Sequence, residues 1–355
     1  MSIGEIDVKV TADREAYYRA LRAENLGPLW ETLKGLVPAE PRPQAVAFMW
    51  SYSDVRPRLM EAGKMISTEE AERRVLVLQN PGLSGVQQIT DTLYAGLQLI
   101  LPREVARAHR HSQSALRFVI EGTGAFTAVD GERATMHPGD FIITPAWTWH
   151  DHGNDSTEPV VWLDGLDVPL VSFLKAGFRE EYKDESHPIK RKEGDAQAVY
   201  GTGLLPIEDN QRHSTSPVFH YPYSRTRESL YIMSRSRDPD PWQGYALKYS
   251  NPTNGDWAIP TIATAMHLLP SGFRTRPFRS TDGVVVTVVE GMLHATVASH
   301  EFKLGPKDVL ALPAWTLRTL EATAGDTVFF AFSDRPVHEK LGLWRSERRD
   351  VGIIS

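Results

Sequence analysis

The amino-acid sequence predicts an all-β core made of two copies of one small β-barrel, preceded by helices and joined by a partly helical connector. Two blocks of closely spaced short strands, 74–170 and 260–335, carry this prediction. The blocks also share two short sequences: Pro-Ala-Trp-Thr occurs at 145–148 and 313–316, and Glu-Gly at 121–122 and 290–291. An internal repeat of this kind indicates that one structural unit has been duplicated.

The rest of the chain is predicted to surround these two barrels. Residues 1–73 form an N-terminal helical segment, because apolar residues recur at helical spacing over 13–36 and Ser67 or Thr68 can cap a short second helix. Residues 171–259 form the connector, which is partly helical near 225–236. Residues 336–355 form a C-terminal tail.

Within the first barrel, 74–170, the strands are separated by turn residues. Asp130-Gly131 lies between two apolar runs, and this dipeptide is a strong signal for a tight hairpin. The second barrel, 260–335, repeats the same order of strands and turns.

Composition excludes several functional classes. The net charge is −6 and the isoelectric point is about 6.1, whereas nucleic acids and anionic membranes favour basic partners. The chain has no cysteine, so a transition metal must be bound by His, Asp or Glu. No apolar signal segment and no run of about 18 apolar residues is evident, so we expect a cytoplasmic protein.

Three histidines in the first barrel predict a metal site. His109 and His111 alternate along a strand and therefore point to the same face, and His150 follows another predicted strand. Three neutral imidazoles leave the charge of a divalent ion uncancelled and leave three of its octahedral positions open. A chelating anionic substrate can take two positions and dioxygen the third.

The second barrel is an internal control for this prediction. Aligned through the repeated sequences, Phe278, Ser280 and Arg318 occupy the positions of the three histidines. If the histidines served only to pack the barrel, both copies would tend to keep them. We therefore predict one metal, held by the N-terminal barrel alone.

The two barrels resemble the cupin superfamily, whose motifs are G(X)5HXH(X)3,4E(X)6G and G(X)5PXG(X)2H(X)3N. His109, His111 and Gly122 match the first motif, and His150 and Asn154 match the second. Ala115 stands where the motif has its glutamate, and Trp147 stands where the second motif has glycine. The missing glutamate argues against cupins that bind the metal through that residue, including copper or nickel flavonol dioxygenases.

Among bicupins, the chain resembles the gentisate 1,2-dioxygenases over most of its length, most specifically in AHRHSQSALRFVIEG and TPAWTWHDHGN. The resemblance implies an Fe(II) cofactor, a homotetramer, and O2-dependent cleavage of gentisate between the carboxyl-bearing carbon and its hydroxylated neighbour, which gives maleylpyruvate. It also implies that Arg73 and Arg117 bind the substrate carboxylate, that His152 binds substrate or moves a proton, and that Asp164 orients His152 or a substrate hydroxyl.

One further strand is expected to line the substrate pocket. Tyr94, Gly96 and Gln98 alternate onto one face of the strand 92–101, where the resemblance places pocket residues. Ordinary core packing would produce the same alternation.

Three alternatives remain open. The first is another substrate of the same class, salicylate or 1-hydroxy-2-naphthoate. The second is a non-catalytic, ligand-binding bicupin, and the third is a cupin dioxygenase that uses copper or nickel.

Overall fold

The computed structural model describes residues 12–208 and 212–350. The chain forms two compact units, Met1–Arg42 and Pro43–Ser355. No helix in the described part of the chain is long and apolar enough to span a membrane.

Within residues 12–42, the described part of the first unit, there are two helices where the sequence predicted one helical stretch. These are α1 (Ala12–Ala23) and α2 (Leu29–Leu36). Asn25 has a φ of 57°, a left-handed conformation that is common just after a helix end, and Pro28 precedes α2 with extended backbone. None of the residues of α2 is buried.

The second unit is mostly β-structure. In chain order its elements are β1 (Phe48–Trp50), α3 (Tyr52–Met65), α4 (Thr68–Ala71), β2 (Val75–Val77), β3 (Tyr94–Ile100), β4 (Val105–His111), β5 (Ala115–Glu121), β6 (Ala125–Val129), β7 (Glu132–Thr135), β8 (Phe141–Thr144), β9 (His150–Asn154), β10 (Val160–Leu166), α5 (Val168–Phe173), β11 (Arg179–Glu181), α6 (Asp195–Tyr200), β12 (His220–Tyr221), α7 (Tyr223–Ser236), β13 (Tyr245–Lys248), β14 (Ala263–Leu269), β15 (Phe278–Ser280), β16 (Val284–Glu290), β17 (Leu293–Val297), β18 (His300–Leu304), β19 (Val309–Leu312), β20 (Arg318–Ala322), β21 (Thr327–Ser333), α8 (Arg335–Lys340) and β22 (Ser346–Arg348).

The strands form two barrels, each made of two antiparallel sheets. The N-terminal barrel has the strand orders β12-β8-β5-β10-β3-β2 and β11-β4-β9-β6-β7. The C-terminal barrel has the orders β1-β19-β16-β21-β14-β13 and β18-β17-β20-β15-β22. These sheets confirm the predicted all-β core of two similar barrels, whereas the exact domain boundaries stay a prediction.

Five of the described strands lie outside the predicted blocks: β1, β11, β12, β13 and β22. β1 pairs with β19, so a segment near the N-terminus completes a sheet of the C-terminal barrel. β11, from the connector, pairs with β4 in the N-terminal barrel. β11 is Arg-Glu-Glu and exposed, so it lacks the apolar pattern that reveals a strand in sequence. β1 is apolar, but its three residues are too few to show a strand period.

Local features also agree with the sequence prediction. Asp130 and Gly131 have φ angles of 46° and 84° and join β6 to β7, as a tight hairpin requires. The side chain of Ser67 accepts a hydrogen bond from the Glu70 backbone N–H and caps α4. The helix α7 occupies the predicted helical part of the connector.

A shared hydrophobic core joins the two barrels. Phe118 of β5 and Phe330 of β21 stack with ring centroids 4.4 Å apart and an interplanar angle of 8°. Both side chains are buried within one cluster that draws on both barrels. One face of the sheet β12-β8-β5-β10-β3-β2 therefore packs against the C-terminal barrel, and its other face can line the interior of the N-terminal barrel.

Candidate metal centre and substrate pocket

The three predicted histidines converge inside the N-terminal barrel. β4 pairs with β9 so that His109 lies opposite His150, and His111 follows two residues along β4. The ring centroids lie 5.2 Å apart for His109–His111, 4.3 Å for His109–His150 and 4.9 Å for His111–His150. One ring nitrogen from each residue lies within 4.8 Å of the other two. No other group of three such side chains occurs within residues 12–208 and 212–350.

The backbone orients each imidazole for metal binding. The Nδ1 atoms of His109, His111 and His150 lie 3.1, 2.9 and 2.9 Å from the carbonyl oxygens of Arg107, Gln113 and Thr148. An Nδ1–H that donates to a carbonyl leaves the Nε2 lone pair available as a ligand. Each carbonyl belongs to a residue two positions from its histidine, so the strand itself sets the tautomer.

His150 provides a direct test of whether a cation fits this site. Its Nε2 is buried and has no hydrogen-bond partner among the described residues. Leaving such an atom unsatisfied costs about 1–3 kcal/mol. A metal ion bound to that nitrogen removes the cost, so the donor set fits a metal.

Burial keeps these rings in the form that binds metal. Burial, with the Arg73 guanidinium adding to it, lowers the pKa of His109 to about 3. Burial also lowers the pKa of His111 to about 4 and that of His150 well below its usual range. The three imidazoles are therefore neutral at physiological pH, as metal ligation requires.

His152 belongs to a separate hydrogen-bonded chain behind the metal centre. The Arg117 Nη2 donates to the His152 Nε2 over 2.8 Å, so the His152 Nδ1 carries the proton and donates to the Thr127 hydroxyl over 3.0 Å. Arg117 Nη1 also donates to the hydroxyl of Thr144. Because Arg117 occupies its Nε2, His152 is not a fourth metal ligand in this arrangement.

Asp164 lies on the other side of Arg117. Its Oδ1 accepts a hydrogen bond of 3.0 Å from the Trp162 indole and lies 3.6 Å from Arg117 Nε, which is an ion pair too long for a hydrogen bond. Burial raises the pKa of Asp164 to about 6, although the Arg117 guanidinium opposes the shift. No hydrogen bond is found between Asp164 and His152, so Arg117 is the residue that orients the histidine.

An open cavity of about 380 Å³ gives access to the metal centre. Its lining residues are Glu72, Arg73, His109, His111, Gln113, Leu166, Val168, Gly177, Phe178 and Arg179. Its volume lies in the range of small-molecule sites, which is about 300–1,000 Å³.

Arg73 is the lining residue that places a positive charge beside the metal ligands. Its Nη2 donates to the Arg107 carbonyl over 2.9 Å and lies 2.7 Å from the His109 Nδ1. The Nδ1 cannot both accept from Arg73 and donate to the Arg107 carbonyl; we assign the donor form because it leaves the Nε2 lone pair available to a metal. Burial lowers the pKa of Arg73 to about 10, so the guanidinium stays charged at neutral pH.

Arg179 is a pocket residue that the sequence analysis missed. It lies on β11, opposite His111 of the metal-binding strand. Its guanidinium pairs with Glu72 at 2.6 Å and with Glu181 at 2.5 Å, which joins the connector to the segment that carries Arg73. A charged three-residue strand in a connector gives no signal in a single sequence.

The strand β3 brings the three predicted pocket residues close to Asp164. Gly96 lies opposite Asp164 in the sheet, and Tyr94 and Gln98 flank it on the same face. A Cβ atom on Gly96 would lie 2.5 Å from Val75 Cγ1 and 3.1 Å from the Tyr94 hydroxyl oxygen. A side chain at position 96 would therefore displace Val75 and press on the Tyr94 hydroxyl.

Comparison with known proteins agrees with this geometry. A cupin domain model matches residues 96–167, which include all three histidines. The chain is 47% identical to the gentisate 1,2 dioxygenase 1 of Aquipseudomonas alcaligenes over 96% of this chain and 97% of that protein. It is 33% identical to the 1-hydroxy-2-naphthoate 1,2-dioxygenase of Nocardioides sp., over 97% of this chain and 90% of that protein.

The chain also resembles a solved structure over nearly its whole length. Salicylate 1,2-dioxygenase from Pseudoaminobacter salicylatoxidans, determined as an adduct with gentisate, is 32% identical and superposes with a TM-score of 0.91 over 97% of this chain and 96% of that chain. The likeness to these proteins covers both barrels rather than the cupin motif alone. The chain therefore belongs to the family of cupin-type, ring-cleaving 1,2-dioxygenases that includes the gentisate 1,2-dioxygenases.

Proposed function

We propose that this protein is a gentisate 1,2-dioxygenase that cleaves the ring between the carboxyl-bearing carbon and the adjacent hydroxylated carbon, giving maleylpyruvate. The observation that carries the proposal is a centre of three neutral histidines that opens into a cavity with a charged arginine at its side. The similarity to a gentisate 1,2-dioxygenase over nearly the whole chain supports gentisate as the substrate.

We assign iron(II) to His109, His111 and His150. Imidazole ligands suit iron, copper, nickel and zinc, so the choice of iron rests on the family and not on the donor set. When bound, iron(II) supplies open coordination positions for an aromatic acid and for dioxygen, together with the electrons of a redox-active ion. Metal analysis of the native protein separates iron from copper or nickel.

The two arginines have different parts in the proposed mechanism. Arg73 lines the cavity, and its Nη1 and Nη2 each donate to a backbone carbonyl, of Glu72 and Arg107. The guanidinium has five N–H donors, so donors remain for a carboxylate. Arg117 is engaged with Thr144 and His152, but its Nε is buried without a hydrogen-bond partner among the described residues. Arg117 therefore adds positive charge for the substrate carboxylate and holds His152 in one orientation.

His152 is the proposed site of proton movement. Its Nε2 lone pair is occupied by Arg117, and its Nδ1–H is held by Thr127. Acceptance of a proton from a substrate hydroxyl at Nε2 therefore requires the bond to Arg117 to break as substrate binds. Asp164, whose pKa is raised by burial to about 6, balances the charge of Arg117 at neutral pH.

The face of β3 sets the proposed shape of the substrate site. The Tyr94 hydroxyl lies close to Gly96, and Gln98 on the same face is buried. Tyr94 is not among the residues that line the cavity, so we expect it to limit only substituents that reach beyond the cavity toward β3; gentisate has only two hydroxyls and a carboxylate. Salicylate and 1-hydroxy-2-naphthoate remain alternative substrates, because relatives with those names share the fold.

The test is turnover by the iron-loaded protein. The full chain is reconstituted anaerobically with Fe(II) and mixed with gentisate and oxygen, and the absorbance of the ring-opened product is followed. We expect product formation with gentisate and slower turnover of salicylate and 1-hydroxy-2-naphthoate, because a para hydroxyl enriches the ring in electrons. An iron-loaded sample that is inert towards all three compounds would overturn the proposal.

Two further expectations stay predictions. Light scattering after size-exclusion chromatography tests the homotetramer that the resemblance implies. Cell fractionation tests the cytoplasmic location.

A further inference from the structure

The C-terminal barrel keeps the architecture of the metal site without its ligands. Phe278 lies opposite Arg318 between β15 and β20, as His109 lies opposite His150 between β4 and β9. The two barrels also share one backbone hydrogen bond at this place. In the first barrel, Trp147 N–H donates to the His111 carbonyl over 2.7 Å. Trp315 N–H donates to the Ser280 carbonyl over 2.6 Å.

Both tryptophans have left-handed backbone, with φ values of 57° for Trp147 and 53° for Trp315. The equivalence proposed from sequence therefore holds in three dimensions. Phe278, Ser280 and Arg318 occupy the places of the three metal ligands.

Arg117, Asp164 and His152 of the N-terminal barrel are replaced by apolar residues in the C-terminal barrel. Arg117 lies opposite Asp164 between β5 and β10, whereas Val286 lies opposite Ala331 between β16 and β21. Leu320, two residues after Arg318, replaces His152. The second barrel therefore has no residues for proton transfer at these positions.

These replacements leave a cavity of about 130 Å³ inside the C-terminal barrel. Its walls include Trp242, Trp257, Phe278, Phe329, Phe332 and Trp344. The His267 ring stacks on Phe329 with centroids 4.7 Å apart and an interplanar angle of 5°. An apolar cavity of about 150 Å³ is large enough to bind benzene in other proteins, so a single aromatic ring matches this space.

Arg318 supplies the one charged group at the position of a metal ligand. Its Nη2 donates to the Ser280 hydroxyl over 3.1 Å, and its guanidinium lies 5.0 Å from the centre of the Phe278 ring. Its Nη1 is buried and has no hydrogen-bond partner within the described residues. Asp282 also lines the cavity, but its carboxylate is held by the Ser280 hydroxyl at 2.5 Å. Arg335 lines the cavity as well, so its charged lining residues are two arginines and one aspartate.

We propose that the C-terminal barrel is a second binding site, specific for a small aromatic monocarboxylate, whose carboxylate is held by Arg318 and whose ring lies among the aromatic walls. The guanidinium provides positive charge where the first barrel binds a metal, and its free donor matches a carboxylate oxygen. Without metal ligands or a proton-transfer chain, this site binds the acid but does not cleave it. The inference goes beyond the proposed catalytic function and does not depend on turnover.

The experiment titrates benzoate into the metal-free, full-length protein by isothermal calorimetry. Arg318→Met removes the charge, and Ala331→Phe fills the cavity. Arg274→Met is the matched control, because this arginine belongs to the same barrel and its side chain is 58% exposed. Arg73→Met removes the arginine of the catalytic pocket and so separates binding in the first barrel from binding in the second.

We expect one binding event whose Kd rises about tenfold or more in Arg318→Met, as the loss of a charge-assisted hydrogen bond predicts. Ala331→Phe should abolish this event, and the two control variants should retain it. If Arg318→Met fails to fold, Ala331→Phe decides the question. A crystal of the wild type with benzoate should place the carboxylate within hydrogen-bond distance of Arg318 Nη1.

Three results would overturn the proposal. The first is a benzoate affinity that neither cavity variant changes. The second is a binding event that Arg73→Met alone removes, since benzoate would then occupy the catalytic pocket. The third is acetate binding as tightly as benzoate, since the aromatic walls would then contribute nothing.

Discussion

Replacement of His150 by leucine distinguishes a metal ligand from an ordinary core histidine. Leucine removes the buried, unsatisfied Nε2, which costs the folded state about 1–3 kcal/mol. It also removes the hydrogen bond from Nδ1 to the Thr148 carbonyl, which contributes about 0.5–1.5 kcal/mol. In metal-free protein, the free energy of unfolding of His150→Leu should therefore lie between about 0.5 kcal/mol below and about 2.5 kcal/mol above that of the wild type.

With Fe(II) present, the wild type should instead be the more stable of the two proteins. A ligand that binds only the folded state stabilises it by about 2.7 kcal/mol when its free concentration is 100-fold above its Kd. His150→Leu leaves only His109 and His111 in the centre. At the same concentration of Fe(II), a 100-fold loss of affinity would reduce the gain of the variant to less than about 1 kcal/mol.

The assay is anaerobic urea unfolding with excess chelator and, separately, with Fe(II). His267→Leu is the matched control, because this histidine also lies inside a barrel but stacks on Phe329, away from the metal centre. The control should keep the full stabilisation by iron. The reasoning is refuted if His150→Leu gains as much from iron as the wild type, or if the wild type gains nothing.

Three further predictions concern the pocket. Burial raises the pKa of Asp164 to about 6 from an ordinary value of 3.8, so its contribution to the free energy of unfolding should fall by up to about 3 kcal/mol as the pH rises from about 4 to 6. The carboxyl binds its proton more tightly in the folded state, so Asp164→Asn should remove this pH dependence from urea unfolding curves; an unchanged pH profile would contradict the assignment. Gly96→Ala introduces a Cβ 2.5 Å from Val75 Cγ1 and 3.1 Å from the Tyr94 hydroxyl, and should change the ratio of kcat/KM for gentisate and 1-hydroxy-2-naphthoate while iron content stays the same. Arg73→Met should raise the KM for gentisate about tenfold or more, as loss of a charge-assisted hydrogen bond implies; an unchanged KM would exclude Arg73 from carboxylate binding.

The sequence was most informative about the metal centre, because the spacing of the histidines indicates both which face of a strand they share and that they can bind a metal. The alternation of His109 and His111, the position of His150 and their absence from the repeat were sufficient to predict a centre that the structure brings together. The repeated Pro-Ala-Trp-Thr sequence was equally informative, because both copies adopt the same left-handed turn.

Contacts between distant segments could not be predicted in this way. β1 completes a sheet of the C-terminal barrel although it lies far from that barrel in sequence, and β11 pairs with the metal-binding strand although its residues are all charged. The engagement of Arg117 with His152 was also invisible, because it depends on the positions of β5 and β9 in different sheets. Strand alternation places a side chain on a face but does not identify its partner.

Anomalous diffraction at the iron edge, from crystals of protein loaded anaerobically with Fe(II), locates the bound metal. We expect one iron peak per chain, beside Nε2 of His109, His111 and His150, and no peak beside Arg318. A peak in the C-terminal barrel, or an iron bound away from the three imidazoles, would contradict this expectation.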